Sequence, residues 1–292
     1  MSDEAFERAE RAFDAADAHA HEPLAHDGGA VRFTHGKRTP RVTVFFHGLT
    51  AGPRQFAPLA AHVYAGGDNV LIPRLPRHGH ADRMTDNLRH LQADELVAFV
   101  AEHIAVARAF GDRVRVVGFS LGGLLAAWSA QHESVDRAIA IAPLLGIAGV
   151  PRGLTPLLAR RMLQMQNRFL WWNPLVRERM LPARGYPRYP THAVAEGLAL
   201  AARLAEAAAH AAPRAPITLV INRGESAVNN AAIRRLAAAW RATGAANVRV
   251  HTLHGIGPSH DIIEVEHNPA VVARSYGALP ALLDGEEERT GV

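Results

Sequence analysis

The 292-residue chain contains no cysteine. That excludes a disulfide framework, a thiolate metal site and redox chemistry at sulfur, and it is compatible with a cytoplasmic location. Lysine is almost missing as well: of the 32 basic residues, only Lys37 is a lysine. The arginines are scattered among alanines and prolines with no block of five or six like charges. The net charge of +4 and pI near 10.1 therefore reflect composition rather than a nucleic-acid footprint, and no nucleic-acid partner is expected. Long apolar runs are also lacking, since none reaches the roughly 18 uninterrupted residues of a membrane span. The opening Met1-Ser-Asp-Glu-Ala-Phe-Glu-Arg8 is charged where a secretory signal would be basic and then apolar. A soluble, cytoplasmic protein with no integral membrane segment is the expectation, as a monomer or homodimer.

What is present is a 48% hydrophobic composition, enough for a large core. Residues 1–28 read as a polar, alanine-rich lead-in without a core-facing stripe. From Ala30 onward, strand and helix patterns alternate. Strands are expected at Ala30–Thr34, Val42–Phe46, Asn69–Pro73, Val114–Gly118, Ala138–Ala142, Ile217–Asn222 and Val248–Leu253. Helices are expected at Arg54–Tyr64, Asp94–Phe110, Leu121–His132, Asn229–Thr243 and Asn268–Leu283. Short, nearly continuous apolar strands such as Val42-Thr-Val-Phe-Phe46 fit a parallel sheet covered on both faces. The pattern predicts an α/β fold with a mostly parallel, doubly wound sheet. Residues 144–212 lack a strand signal and read as a helical cap inserted after the fifth parallel strand. The core then divides into residues 29–143 and 213–292.

One serine stands among glycines in Gly118-Phe-Ser-Leu-Gly-Gly123, between the apolar run Val114–Val117 and a helical pattern. A serine hydroxyl becomes a nucleophile only when presented to a base and faced by donors for the oxyanion. A sharp strand-to-helix elbow supplies that presentation, and small neighbours let the two elements approach. Gly-x-Ser-x-Gly also arises by chance in a glycine-rich chain, but its position on the strand-helix junction singles out Ser120. Upstream, His47-Gly48-Leu49-Thr50 ends a strand at the same sheet edge, so the Leu49 and Leu121 amides could form an oxyanion hole. The alternative is an ordinary glycine turn. The base is expected after the last strand: His260 is chosen over His251, His254 and His267 because its loop can reach back over the sheet edge. The acid is expected after Ile217–Asn222, where Arg223–Asn230 contains no aspartate and Glu225 is the only carboxylate. A solvated loop glutamate, with the acid coming from another strand end, remains the alternative.

Taken together, His47-Gly48, Pro73-Arg-Leu-Pro-Arg-His-Gly-His80, Gly118–Gly123 and Ser259-His260-Asp261 resemble the α/β-hydrolase superfamily, within it the carboxylesterases and monoacylglycerol-lipase-like enzymes. The resemblance runs from about Val42 to Leu283. It implies hydrolysis of a small-molecule ester through an acyl-enzyme, with Ser120 as nucleophile, His260 as base, Glu225 as acid and the Leu49 and Leu121 amides at the oxyanion. No metal or cofactor is implied. The sequence departs from the family pattern twice. The expected aspartate is absent, one register placing Glu225 there and another Ser226, and Arg77 stands where the Leu-Pro-Gly-His-Gly loop has a glycine. Met162, Met165, Phe169, Leu170, Trp171 and Trp172 could line an apolar substrate pocket, with Phe169, Trp171 and Trp172 chosen as substrate-binding residues, or could simply pack the cap. Alternatives on the same fold are a thioesterase, a perhydrolase, a carbon-carbon bond hydrolase, or a catalytically weak ligand-binding protein.

Overall fold

The structure, a computed structural model, describes residues 3–15, 23–151, 153–179 and 185–285. Seven strands form one sheet: β1 (Val31–Phe33), β2 (Thr39–Phe46), β3 (Asn69–Ile72), β4 (Gly111–Phe119), β5 (Arg137–Ile141), β8 (Ile217–Asn222) and β9 (Val248–Leu253). Their spatial order is β1-β3-β2-β4-β5-β8-β9. All pairings are parallel except β1 with β3, which is antiparallel. Six of the seven strands are therefore parallel, and β5 is the fourth parallel strand in chain order rather than the fifth. The central strands are buried along nearly their whole length, as continuous apolar runs require.

Helices α2 (Ala57–Ala65), α3 (Ala93–Ala107), α4 (Leu121–His132), α7 (Asn230–Ala242), α8 (Pro269–Ser275) and α9 (Leu279–Asp284) connect the strands or follow them. The sequence pattern joined the last two into one helix. They separate at Gly277, and Pro280, which lacks an N–H donor, falls in the first turn of α9, where that loss costs little.

The lead-in differs from expectation. Helix α1 (Asp3–Ala15) buries Phe6 and Phe13, and Phe6 meets Phe110 edge-on at 5.2 Å. Spaced i, i+7, two aromatics suffice for a core-facing stripe even when charges surround them. Residues 1–2 and 16–22 of that lead-in lie outside the described residues.

Between β5 and β8 the chain forms α5 (Thr155–Gln164), the antiparallel pair β6 (Phe169–Trp171) and β7 (Arg188–Pro190), and α6 (Thr191–His210). The β6/β7 pair corrects the strand-free expectation, since three-residue strands are too short to show a period. Helix α6 buries Leu198, Leu200 and Leu204. Gly197 lets it approach Leu144 and Leu121 beside the elbow. Among the described residues no helix is long and apolar enough to cross a membrane.

Candidate active site

The β4-α4 junction carries Ser120 with φ 55° and ψ −113°, a backbone that L-residues rarely adopt. Such a conformation costs about 1–3 kcal/mol and persists only where the surroundings impose it. Three backbone hydrogen bonds do so: Ser120 N–H donates to the Ile141 carbonyl at 2.9 Å, and the Ser120 carbonyl accepts from Leu124 at 3.0 Å and Leu144 at 2.9 Å. The glycines are steric necessities, because a Cβ at Gly118 would overlap the Gly122 carbonyl and one at Gly122 the Phe46 carbonyl.

The loop after β9 brings His260 onto this serine, with Nε2 2.9 Å from Ser120 Oγ. The other ring nitrogen, Nδ1, lies 2.9 Å from Glu225 Oε1. When Nδ1–H donates to the carboxylate, the Nε2 lone pair faces the hydroxyl, the tautomer a general base requires. Glu225 has a side chain only 1% exposed. Its Oε1 also accepts from the amides of Ala227 at 2.7 Å and Val228 at 3.2 Å. Burial pushes this carboxyl up, but the His260 hydrogen bond and charge, with the two amides, outweigh it and hold it below the usual carboxylate value. Of the two registers, Glu225 reaches the imidazole, whereas the exposed Ser226 lies on the cavity wall. His267 pairs with Asp261 Oδ2 at 2.7 Å instead of approaching Ser120.

Asn222, unnoticed in the sequence, ties the end of β8 to the loop that carries His260. Its side-chain nitrogen donates to the carbonyls of Gly257 at 3.0 Å and Ser259 at 2.7 Å. A buried amide closing an otherwise apolar strand was the available signal.

The loop after β2 is held from both sides. Gly48 N–H donates to Gln55 Oε1 at 2.8 Å and Thr50 N–H to His78 Nε2 at 3.2 Å. Between them, the Leu49 N–H has no hydrogen-bond acceptor among the described residues. His47 gives Nδ1–H to the Gly48 carbonyl at 3.0 Å and accepts Leu75 N–H at Nε2, 3.1 Å. His78 likewise gives Nδ1–H to the Pro76 carbonyl at 2.8 Å. Each ring thus uses one nitrogen as donor and the other as acceptor, so both are neutral. Burial pushes His78 down to about 4 and His47 well below its ordinary value, the latter with His78 adding to the effect. Arg77, at the glycine position of the family loop, itself adopts φ 65° and is held by Glu95 at 2.9 Å and Asn87 at 3.2 Å. The turn keeps its left-handed backbone without glycine because its side chain is anchored.

From the opposite side, Trp172 Nε1–H donates to Thr50 Oγ1 at 2.7 Å and Tyr186 N–H to the Thr50 carbonyl at 2.7 Å. A cavity of about 370 Å³ opens over Ser120. Trp172 lines it, whereas Phe169 and Trp171 do not. Phe169 instead packs beneath the Arg188 guanidinium at 4.1 Å, and Trp171 sits beside it in β6. Gln55, Arg83, Asn173, Asp261, Glu264 and His267 place polar groups on a wall that is otherwise mostly apolar.

Glu264 on that wall has a consequence for stability. Burial, then Asp261 and Glu266, push its carboxyl up from 4.5 to about 7. The folded chain therefore holds this proton more tightly than the unfolded chain, and stability present below about pH 4.5 is lost as pH rises through about 7. Glu264→Gln, neutral throughout, is expected to gain up to about 3 kcal/mol at about pH 8 and almost nothing at about pH 4. Urea unfolding at the two pH values measures this difference.

The sequence from residue 43 to 275 matches the alpha/beta hydrolase family model. No curated protein matches. Among solved structures, the chain is similar to a monoacylglycerol lipase of Paleococcus ferrophilus at 17% identity, covering 87% of this chain and 97% of that one, with a TM-score of 0.63. It is similar to a soluble variant of monoglyceride lipase from Saccharomyces cerevisiae at 11% identity, covering 91% and 97%, TM-score 0.63. A thioesterase domain from the curacin biosynthetic pathway aligns at 15% identity over 87% and 94%, TM-score 0.52. At these identities the likenesses concern the fold, and the family match extends over most of the sequence: this chain belongs to the alpha/beta hydrolase family.

Proposed function

We propose that the protein is a serine hydrolase that cleaves a carboxylic ester through an acyl-enzyme, with Ser120, His260 and Glu225 as its catalytic triad. The observation that carries this reading is the continuous chain from Ser120 Oγ to His260 Nε2 and from His260 Nδ1 to Glu225 Oε1, 2.9 Å at each step. Ser120 Oγ attacks the ester carbonyl as its proton passes to His260 Nε2. Glu225 fixes the imidazole and stabilises its cationic form. The carbonyl oxygen becomes an oxyanion, held by the Leu49 and Leu121 N–H groups, the latter opening α4 where peptide dipoles favour negative charge. His260 then protonates the leaving alkoxide, and water releases the acid by the same steps in reverse order.

The cavity volume and mostly apolar wall suit a small to medium apolar acyl group, with Gln55, Arg83 and Asn173 among the polar groups that could meet a leaving group carrying hydroxyls. Residues 144–212 act as the cap of the site, with 29–143 and 213–292 as its body. The test is a panel of p-nitrophenyl esters, thioesters and lactones, combined with fluorophosphonate labelling and mapping of the labelled peptide. Ester turnover with a single label in the 118–123 segment is the expected result. No labelling and no turnover would overturn the reading.

Trp172 bears on the same step. Its indole N–H holds Thr50, next to the proposed oxyanion donor and itself at φ 67°. Trp172→Phe keeps a ring on the cavity wall but removes the hydrogen bond. It is expected to lower kcat between about two- and ten-fold with a smaller change in KM, as steady-state kinetics would show.

A further inference from the structure

Exposed large apolar side chains are not scattered over this protein. Among the described residues there are eight, and Leu154, Leu157, Met165, Leu170, Trp172, Leu175 and Val176 all fall within residues 154–176. The eighth, Val265, follows Glu264 on the wall of the cavity over Ser120. Trp172 and Asn173 line that cavity too, so Leu170 on one side of them and Leu175 on the other flank its mouth along the chain. Isolated exposed leucines are ordinary, but a segment with Leu157 at 57%, Met165 at 61% and Leu175 at 90% exposure marks a surface with a partner.

Charge says which partner. The exposed ionisable residues described in 153–179 are Arg160, Arg161, Arg168, Arg177 and Arg179 against the single Glu178. Five positive minus one negative gives +4, equal to the formal net charge of the whole chain. None of these five arginines forms an ion pair among the described residues; Arg161 donates to Gln164 and Arg177 to the Pro174 carbonyl. Helix α5 shows how the two features combine. At about 100° per residue, Leu157 and Arg161 lie within about 40° of each other, with Leu154, Arg160 and Gln164 on the same side and the buried Ala159 opposite. Leucines interleaved with arginines, whose alkyl stems lie along an apolar layer while the guanidinium heads reach phosphates, form an interfacial rather than a protein-packing face.

We propose that the outward face of residues 154–176, with its flanking arginines, docks on an anionic lipid bilayer and holds the mouth of the Ser120 cavity against it. Leucines enter the headgroup boundary and arginines neutralise lipid phosphates. The surface does not depend on the reaction proposed above, because no residue of the triad or oxyanion loop belongs to it.

The experiment is co-sedimentation of the full chain with phosphatidylcholine vesicles and with vesicles that also contain phosphatidylglycerol. Ser120→Ala serves as a control, whose unchanged binding keeps docking separate from catalysis. The wild type is expected to bind the anionic vesicles and to be released by salt. Replacing Arg160 and Arg161 by serine should weaken binding roughly thirty-fold, at about five-fold per charge. Leu157→Asp and Leu175→Asp should each weaken it about ten-fold or more, with thermal unfolding as the check that each variant is folded. Absence of binding, or equal binding to both vesicle types that the variants leave unchanged, overturns the proposal. A concentration-dependent dimer that Leu157→Asp and Leu175→Asp dissolve, without vesicle binding, also overturns it and gives the face to a second copy of the chain.

Discussion

Ser120→Ala is expected to reduce ester turnover by about 10⁶ and to abolish fluorophosphonate labelling. Its hydroxyl is the group that the elbow presents to His260 Nε2. The substitution leaves the elbow intact, since alanine meets the same φ of 55° with the same Cβ and the backbone bonds to Ile141, Leu124 and Leu144 do not involve the side chain. Stability should therefore change by no more than about 0.5 kcal/mol, and a denaturant titration beside the rate assay separates loss of chemistry from loss of fold. Binding and the oxyanion donors would survive, so a residual acceleration of about 10³ over water is compatible with the scheme. Turnover within ten-fold of wild type would place the nucleophile elsewhere and remove the argument from the elbow.

The fold was legible where one residue type governs one conformation. The parallel strands β2, β4 and β8 each carry a mostly apolar, buried run bounded by turn residues, β9 alternates in sequence, and the sheet follows from that repetition. Elements that depend on distant contacts were not legible. Phe6 and Phe13 form a stripe only because Phe110 and His103 stand opposite them. The β6/β7 pair exists only through a partner roughly twenty residues away. The same division runs through the site. Ser120 announces itself by its glycines, and the spacing that leads to His260 and Glu225 follows from strand order. The histidine contacts that hold the Leu49 loop and the Trp172 bond to Thr50 are long-range pairings with no local signature, and the Asn222 tie shows in the sequence only as an amide closing an apolar strand. The expectation that Phe169 and Trp171 line the pocket failed for a related reason: aromatic residues in a cap indicate burial, but not on which side, and Phe169 packs against Arg188 rather than lining the cavity.

Glu225→Gln is expected to lower kcat by about 10² to 10⁴, and the size of the loss depends on which way the new amide turns. Glu225 Oε1 accepts from His260 and from the Ala227 and Val228 amides, while Oε2 is buried without a partner among the described residues. If glutamine places its carbonyl oxygen at Oε1, the three bonds and the imidazole tautomer survive. Only the negative charge that stabilises the imidazolium is lost, which gives the smaller figure. If the amide turns, its NH₂ faces Nδ1 and the two backbone donors. The imidazole must then present its lone pair to Glu225's replacement and N–H to Ser120, the wrong tautomer for a base, which gives the larger figure. The two backbone amides favour the first orientation, so a loss nearer 10² is the expected result, with fluorophosphonate labelling slowed in proportion. Glu225→Asp restores the charge one methylene short of His260, and should recover part of the rate if charge is what matters. Wild-type rates in Glu225→Gln would reassign the acid. The nearest other carboxylate on the base loop, Asp261, already pairs through Oδ2 with His267 and accepts from the Ile263 and Glu264 amides at Oδ1. It could reach His260 only by giving up those bonds, and for that reason the scheme stands or falls on Glu225.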